Sequence, residues 1–154
     1  MMHPKVSKFD DVKKKIAALS AEEKDSRLFL SKLALLLKEG CRYHVASIYR
    51  LDSGRAVLQG YAGDPAHAIR EIGLAGHLAV AIDSPKPVVF SNIEPQLQDA
   101  EGIPGMKSRI MSPVRNGGSV IALIEARSTG SRNFDEVDVH LLEDIARLVA
   151  ARLP

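Results

Sequence analysis

The segment Ser108–Ser128, "SRIMSPVRNGGSVIALIEARS", decides the fold, because it has the pattern of two β-strands joined by a tight turn. Each strand alternates its side chains between two faces, as a pleated strand requires. The pair Asn116-Gly117 between them is well suited to the positive φ values of a two-residue hairpin turn. We therefore predict a hairpin at the centre of an antiparallel sheet.

Charged residues interrupt an apolar face of this hairpin. Alternation places Arg109 beside Met111 on the first strand, and Glu125 and Arg127 beside Leu123 on the second. A buried charge must be paired, or it costs several kcal/mol. Three interpretations stay open: the charges lie at strand ends in water, Arg109 and Glu125 form a pair, or one of them contacts a polar ligand. A ligand held by Arg109 would carry an anionic group, which a guanidinium binds in a bidentate manner.

The rest of the chain predicts more strands, enclosed by helices. Residues 44–52 and 56–63 alternate around a Ser-Gly-Arg turn and predict a first hairpin, and residues 68–93 predict a strand, a helix over 74–82 and a strand at 88–90. Helices are predicted at both ends of the chain. Strands grouped between terminal helices indicate an α+β fold with an antiparallel sheet.

Helix boundaries are predicted from capping residues. Ser20–Glu23 has a capping-box pattern that would open the second helix, and Gly40 would end it in a left-handed conformation. The apolar face between Leu28 and Leu37 is wide enough to serve both a sheet and a partner. Asn133–Glu136 would cap the last helix.

Composition excludes several classes of function. The chain has 154 residues, which suits one folded unit, and its net charge of +2 gives no reason to expect nucleic acid or an anionic membrane as a partner. We find no apolar run of the roughly 20 residues that span a bilayer, and no apolar core of a signal peptide. A single cysteine forms no internal disulfide. The expected location is the cytoplasm.

Four segments resemble the GAF domain family over roughly residues 26–153. They are "IREIGLAGHLAVAIDSPKPVVFSNI", "KSRIMSPV", "GGSVIALIEARS" and "NFDEVDVHLLEDIARLVA", in the family's order. The resemblance implies an N-terminal helical extension over 1–25 and a GAF-like domain over 26–154. It also implies a central antiparallel sheet with the N- and C-terminal helices on one face. A small-molecule pocket would lie on the other face, beneath a lid formed by the segment between the middle strands.

The family includes enzymes, the free methionine-(R)-sulfoxide reductases, which work by cysteine chemistry. The corresponding stretch here, "GHLAVAIDSPKPVVF", contains no cysteine, and Cys41 lies outside it. We therefore predict that the chain is not an enzyme. The alternative, a redox enzyme using Cys41, requires that thiol to be exposed and its pKa to be lowered.

The sequence does not identify a cofactor. The cysteine and the Pro-x-Ser-Asp-x-Pro pattern of linear-tetrapyrrole binders are missing, and "NFDEVD" supplies only the tail of the cyclic-nucleotide signature. The five histidines include no pair at metal-ligand spacing, so no metal site is predicted. His77, which follows Gly76 beside the expected pocket, is either a ligand contact or an ordinary helix histidine.

The resulting hypothesis is a non-enzymatic sensor that binds a small molecule and signals through its terminal helices, as a homodimer. The alternative is a GAF-like dimerisation or interaction module without a ligand. No output domain follows Leu153, so a separate signalling protein would be the partner if the chain is a whole protein; the alternative is that the chain is a fragment of a longer one. The predicted ligand-binding residues are Tyr49, Tyr61, His77, Arg109, Met111 and Glu125.

Overall fold

The fold was examined in a computed structural model, which describes residues 4–91, 105–130 and 134–153. Four α-helices, a short 3-10 helix and six β-strands lie within these ranges. In chain order they are α1 (Pro4–Glu22), α2 (Ser26–Cys41), β1 (Val45–Asp52), β2 (Arg55–Ala62), the 3-10 helix Pro65–His67, β3 (Glu71–Gly73), α3 (His77–Asp83), β4 (Val88–Phe90), β5 (Ser108–Asn116), β6 (Ser119–Ser128) and α4 (Glu136–Arg152).

The strands form one antiparallel sheet in the order β3-β2-β1-β6-β5-β4. The predicted hairpin β5-β6 lies near its centre, and the first hairpin, β1-β2, pairs with it through β1 and β6. The β5-β6 turn falls on Gly117 and Gly118, with φ of 62° and 88°, so Asn116 is the last residue of β5. The turn is therefore one residue later than predicted, because a second glycine satisfies the same positive φ.

The helix-covered face of the sheet holds the larger apolar core. Side chains of α2 and α4 pack on Ile48, Ile110 and Ile124 of the strands, and α1 packs across α2 and α4. Close approach sets the position of α2: a Cβ added at Gly60 of β2 would lie 2.4 Å from the Leu30 carbonyl oxygen. Apolar burial of this kind supplies most of the free energy of folding.

The opposite face, called here the α3 face, carries a smaller apolar cluster covered by α3. Its buried members are Tyr49, Ala56, Ile72, Leu78, Ala81, Met111 and Leu123. Leu78 and Ala81 come from α3 itself. Most of the predicted lid, residues 92–104, lies outside the described residues.

Several predicted helix boundaries are wrong. Helix α1 continues through Ser20 to Glu22, and Asp25 caps α2 by accepting a hydrogen bond from Leu28 N at 3.0 Å. Helix α2 passes Gly40, and Arg42 takes the left-handed conformation with φ of 58°. Gly40 is instead the point of contact with α1, because a Cβ there would lie 2.5 Å from Val12 Cγ2.

The last helix is capped by Asp135, whose carboxylate accepts from Val137 N, and Asp138 completes a capping box. Asn133, the predicted cap, lies outside the described residues. The α+β class and the antiparallel sheet between terminal helices are confirmed. No helix within the described ranges is both long and apolar enough to cross a membrane.

Candidate functional site

The α3 face brings together most of the predicted ligand-binding residues. Strand alternation places Arg109 and Met111 of β5 on the same face as Glu125 of β6, and Met111 lies opposite Glu125 in the register. Tyr49 of β1 lies opposite Leu123 on that face. The intervening residues, such as Ile110 and Ile124, point into the helix-covered core. One hairpin therefore supplies both the core and the candidate site.

Arg109 and Glu125 form a fully buried ion pair, each side chain 1% exposed. Arg109 Nε and Nη2 both contact Glu125 Oε2. Arg109 Nη1 also lies 3.2 Å from Nδ1 of His77, at the start of α3. Since a guanidinium only donates, His77 Nδ1 accepts in this contact, and its ring proton lies on Nε2. Of the three interpretations of the hairpin charges, the ion pair is the one observed.

Arg127 completes the cluster and was not among the predicted ligand-binding residues. It lies opposite Arg109 in the β5-β6 register, its side chain is 5% exposed, and its Nε is 3.4 Å from Glu125 Oε1. The alternation that selected Glu125 also places Arg127 on this face, so the sequence did contain the signal. Two guanidinium groups then share one carboxylate, which leaves one positive charge among these three buried side chains.

The electrostatics of Glu125 reflect this arrangement. Burial by itself raises the pKa of the Glu125 carboxyl, but the positive charges of Arg109 and Arg127 outweigh it, and the pKa is lowered. Glu125 is therefore ionised at neutral pH. Its carboxylate is the anchor that holds both guanidinium groups in position.

His77 and Phe90 form an aromatic wall beside the ion pair. Their ring centroids are 3.9 Å apart and the planes are inclined by 16°. Phe90 lies opposite Arg109 in the β4-β5 register and His77 contacts Arg109 Nη1, so the stacked rings lie beside the Arg109 side chain. His77 is thus fixed by a ring contact on one side and by Arg109 on the other.

The two tyrosines differ in their surroundings. Tyr49 is buried, and its hydroxyl donates to the Ile69 carbonyl at 3.1 Å. Tyr61 lies at the edge of the face, opposite Ser47, and its hydroxyl donates to the Asp64 carbonyl at 2.7 Å. Burial raises the pKa of both phenols. Both hydroxyls therefore serve the fold, and of the two rings that of Tyr49 belongs to the apolar cluster of the α3 face.

Cys41 lies in a different place, on the helix-covered side. It is buried, and burial raises the pKa of its thiol to about 12. Neighbouring Tyr43 donates to Asp138 Oδ1 at 2.7 Å, and Lys5 donates to Asp138 Oδ2 at the same distance. This cluster joins α1, the segment between α2 and β1, and the first turn of α4. The condition stated for Cys41 chemistry, an exposed thiol with a lowered pKa, is not met.

The described residues form no metal-binding cluster. Across residues 4–91, 105–130 and 134–153, no three His, Cys, Asp or Glu side chains are grouped so that they could hold a metal ion. The cationic cluster on the α3 face would itself repel a metal ion.

Comparison with known proteins identifies the family. The model of the GAF domain matches residues 29–153. The chain belongs to the GAF domain family. GAF domains are ligand-binding domains, so a ligand-binding unit is the part of the predicted function that this match supports. Among curated proteins, none matches the chain.

Solved structures with this fold include enzymes and GAF domains. Free methionine-R-sulfoxide reductase from Neisseria meningitidis, in complex with its substrate, has a TM-score of 0.85 and 24% identity, over 99% of this chain and 92% of that chain. The type II reductase from Thermoplasma acidophilum has a TM-score of 0.74 and 26% identity, over 82% and 90%. The GAF domain of a phosphoenolpyruvate-protein phosphotransferase from Coxiella burnetii has a TM-score of 0.81 and 14% identity, over 96% and 93%.

These comparisons correct the expectation that the chain is not an enzyme. Free methionine-R-sulfoxide reductases are among its best structural matches, so the chain is similar to enzymes along most of its length. Excluding catalysis because the cysteines of that branch are missing was wrong. The absence of those cysteines argues only against the cysteine mechanism of that branch. The fold itself is shared by proteins that catalyse reactions and proteins that only bind ligands.

Proposed function

We propose that the chain is a sensory domain that binds a small molecule on the α3 face. The observation that carries the proposal is the buried cluster of Arg109, Glu125 and Arg127. A sheet face that served only packing would be cheaper to build from apolar residues, because desolvating an ion pair costs as much as its attraction returns. Buried ionised side chains grouped beneath a short helix and an aromatic wall are typical of a binding site.

The sheet offers a direct route from this site to the terminal helices. The side chains of Arg109 and Met111 lie at the candidate site on the α3 face. Ile110, between them in β5, packs in the helix-covered core together with side chains of α4. A ligand that shifts β5 would therefore move side chains on both faces. Helix α4 is linked in turn to α1 by the ion pairs Lys5–Asp138 at 2.7 Å and Lys13–Asp144 at 3.2 Å. We infer that α1 and α4 report ligand binding to a partner.

Native mass spectrometry tests the binding proposal. The purified protein is measured under gentle and denaturing conditions, before and after incubation with a panel of metabolites. A small mass that is lost on denaturation, and that is absent from a Glu125→Gln variant shown to be folded, supports the proposal. A protein that carries no additional mass with any member of the panel contradicts it, and the ligand-free interaction module takes its place.

The homodimer expected from the sequence remains a prediction. The same native mass spectra also measure the oligomeric state. Leu28 and Leu35 lie seven residues apart, on one side of α2, and they are 51% and 50% exposed. If α2 contributes to a dimer interface, Leu28→Glu with Leu35→Glu converts dimer to monomer. The control is Val80→Glu, a similarly exposed apolar residue at 52% on α3.

A second candidate function follows from the structural matches, namely reduction of free methionine-R-sulfoxide. In that reaction the sulfoxide oxygen leaves as water, the sulfur gains two electrons and two protons are consumed, while a dithiol supplied as reductant is oxidised to its disulfide. Cys41 is the single cysteine of the chain, and its buried thiol with a raised pKa is poorly suited to attack. An activity would therefore need another group of the chain or the external thiol itself.

An assay for methionine formation tests this candidate. The protein is incubated with free methionine-R-sulfoxide and dithiothreitol, and methionine is quantified by chromatography against a reaction without protein. Turnover that persists in Cys41→Ser would support catalysis without the native thiol. Turnover that disappears in Cys41→Ser would identify Cys41 as the nucleophile, in spite of its burial. Methionine formation equal to the background would remove the candidate.

A further inference from the structure

We propose that Arg127 is the anchor for an oxyanion of the ligand, a carboxylate or a phosphate, and that Arg109 is a positioning residue beside it. This inference rests on the proposed function, because it names the chemical class that the α3 face would bind. It adds a residue that sequence reasoning did not select and assigns different roles to two guanidinium groups that lie opposite each other in one hairpin.

Arg127 has donors to spare. A guanidinium carries five N–H donors, and buried donors require acceptors. Among the described residues, the partner of the Arg127 guanidinium is Glu125, through Nε at 3.4 Å, and the geometry of that contact is that of an ion pair without a hydrogen bond. The side chain is nevertheless 95% buried, since only 5% of it is exposed. Its buried Nε, which has no hydrogen-bond partner among the described residues, points to a ligand atom as its acceptor.

Arg109 differs in having two of its nitrogens, Nε and Nη1, in hydrogen bonds. Its Nε and Nη2 contact Glu125 Oε2, and its Nη1 contacts His77 Nδ1. These contacts fix the plane of the guanidinium and neutralise the Glu125 charge. Because Arg127 contacts Glu125 without a hydrogen bond, its charge is the less completely compensated of the two. A cationic ligand would meet net repulsion there, whereas an oxyanion gains a charge-assisted contact of the kind a guanidinium forms.

The apolar side chains around the cluster define the remainder of the ligand. Met111 and Leu123 are fully buried on this face, and the stacked His77 and Phe90 rings stand beside them. A short apolar group attached to the oxyanion would contact these side chains. We therefore expect a small organic acid or organic phosphate to bind more tightly than inorganic phosphate alone.

The test uses matched probes that differ in charge. Butyrate, butyramide and butylammonium have nearly the same shape, and inorganic phosphate and butyl phosphate extend the comparison to the second oxyanion. Each is titrated into ¹⁵N-labelled protein at constant ionic strength, and the arginine Nε–Hε and backbone amide resonances are followed. We expect butyrate or butyl phosphate to shift the Arg127 Nε–Hε resonance, and butylammonium to leave it unchanged.

Substitutions then test whether Arg127 is the residue that binds the oxyanion. Arg127→Met should weaken oxyanion binding by roughly ten- to a hundredfold, because a charge-assisted contact is lost. Arg127→Lys keeps the charge without the fork and should lose less, which also covers the case that Arg127→Met fails to fold. The control Arg27→Met removes an equal charge from an exposed position on α2 and should bind normally.

The possible negative results distinguish failure of the Arg127 assignment from failure of the proposed function. Oxyanion affinity that is unchanged in Arg127→Met and Arg127→Lys overturns the assignment of Arg127. Preference for butyramide or butylammonium overturns the oxyanion class while leaving a small-molecule site in place. If no probe of any charge binds and native mass spectra are also empty, the proposed function falls together with this inference.

Discussion

The two faces of the central sheet are built from alternate residues of the same strands, yet they differ in chemistry. The helix-covered face is almost entirely apolar, with Ile48, Ile110 and Ile124 fully buried. The α3 face buries Arg109, Glu125 and Arg127 just as deeply. Burial of apolar side chains stabilises a fold by itself, whereas a buried charge is tolerated only when its counter-ion is buried with it. One face therefore maintains the fold, whereas the other gives up stability in order to hold buried charges.

The largest effect is expected when the charged set is broken. Glu125→Gln leaves Arg109 and Arg127 buried without a counter-ion, and we expect it to lower the free energy of unfolding by about 3–5 kcal/mol. The measurement is urea denaturation followed by circular dichroism. In the control, Arg109→Met with Glu125→Gln, one charge of each sign is removed together, so this double variant should be more stable than the single one. Equal stability of the two would mean that the charges are not coupled.

The neighbouring residue on the other face should behave differently. Ile124→Ala leaves a cavity in the helix-covered core, and we expect a loss of about 2–5 kcal/mol in the free energy of unfolding. Whatever ligand the protein retains should still bind to the folded fraction, as judged by native mass spectrometry. A change in affinity as large as that caused by Glu125→Gln would show that the two faces are not functionally separate.

The helix-covered side also has one polar cluster, and removing a contact there should cost less. Tyr43→Phe deletes the hydroxyl that donates to Asp138 Oδ1 at 2.7 Å, while Lys5 and the Asp135 backbone still donate to the carboxylate. Hydrogen bonds to charged groups contribute about 1.5–3 kcal/mol, and urea denaturation should show a loss in that range. Ligand affinity should not change, because this cluster lies on the opposite side of the sheet from Arg109.

The sequence predicts which side chains share a face of the sheet. It does not predict which residues lie opposite each other on neighbouring strands, because that depends on the register. The alternation in residues 108–128 predicts which side chains share a face. It does not predict that Arg109 lies opposite Arg127, because that pairing depends on the turn, at Gly117-Gly118 rather than Asn116-Gly117, and on the register shift between Val114 and Arg115. A shift of one residue in a turn changes every cross-strand neighbour. The contribution of Arg127 was therefore missed although its face was known.

Helix ends were harder to predict because several residues compete for the same role. Ser20 and Asp25 both have side chains that cap helices, and Asp25 caps α2 once α1 has continued to Glu22. Gly40 suits a left-handed cap, yet α1 approaches so closely there that the glycine serves as a packing site instead. Contact between His77 and Arg109, which are 32 residues apart, likewise depends on how α3 folds over the sheet. Tertiary packing therefore determines which residue caps a helix and which distant side chains come into contact.

Acid titration should distinguish the faces with a smaller effect. The pKa of Glu125 is lowered in the folded protein, so its contribution to stability is fully present above the unfolded value, near about 4.3, and is lost as the pH falls through the folded value. Burial and the guanidinium attraction act on the Glu125 pKa in opposite directions, and the attraction prevails. Free energies of unfolding measured between neutral pH and acid should fall more steeply for the native chain than for Arg109→Met with Glu125→Gln. Parallel curves would contradict the prediction.

The smallest effect is expected at Cys41. With a pKa raised to about 12, roughly one thiol in ten thousand is ionised at pH 8, so iodoacetamide should alkylate the folded protein far more slowly than the urea-unfolded chain. Mass spectrometry of timed samples gives both rates. Cys41→Ser should bind ligand as the native chain does, because Cys41 belongs to the helix-covered core. Rapid alkylation of the folded protein, or loss of binding in Cys41→Ser, would place functional chemistry on the face that otherwise serves packing, and the division between the two faces would have to be abandoned.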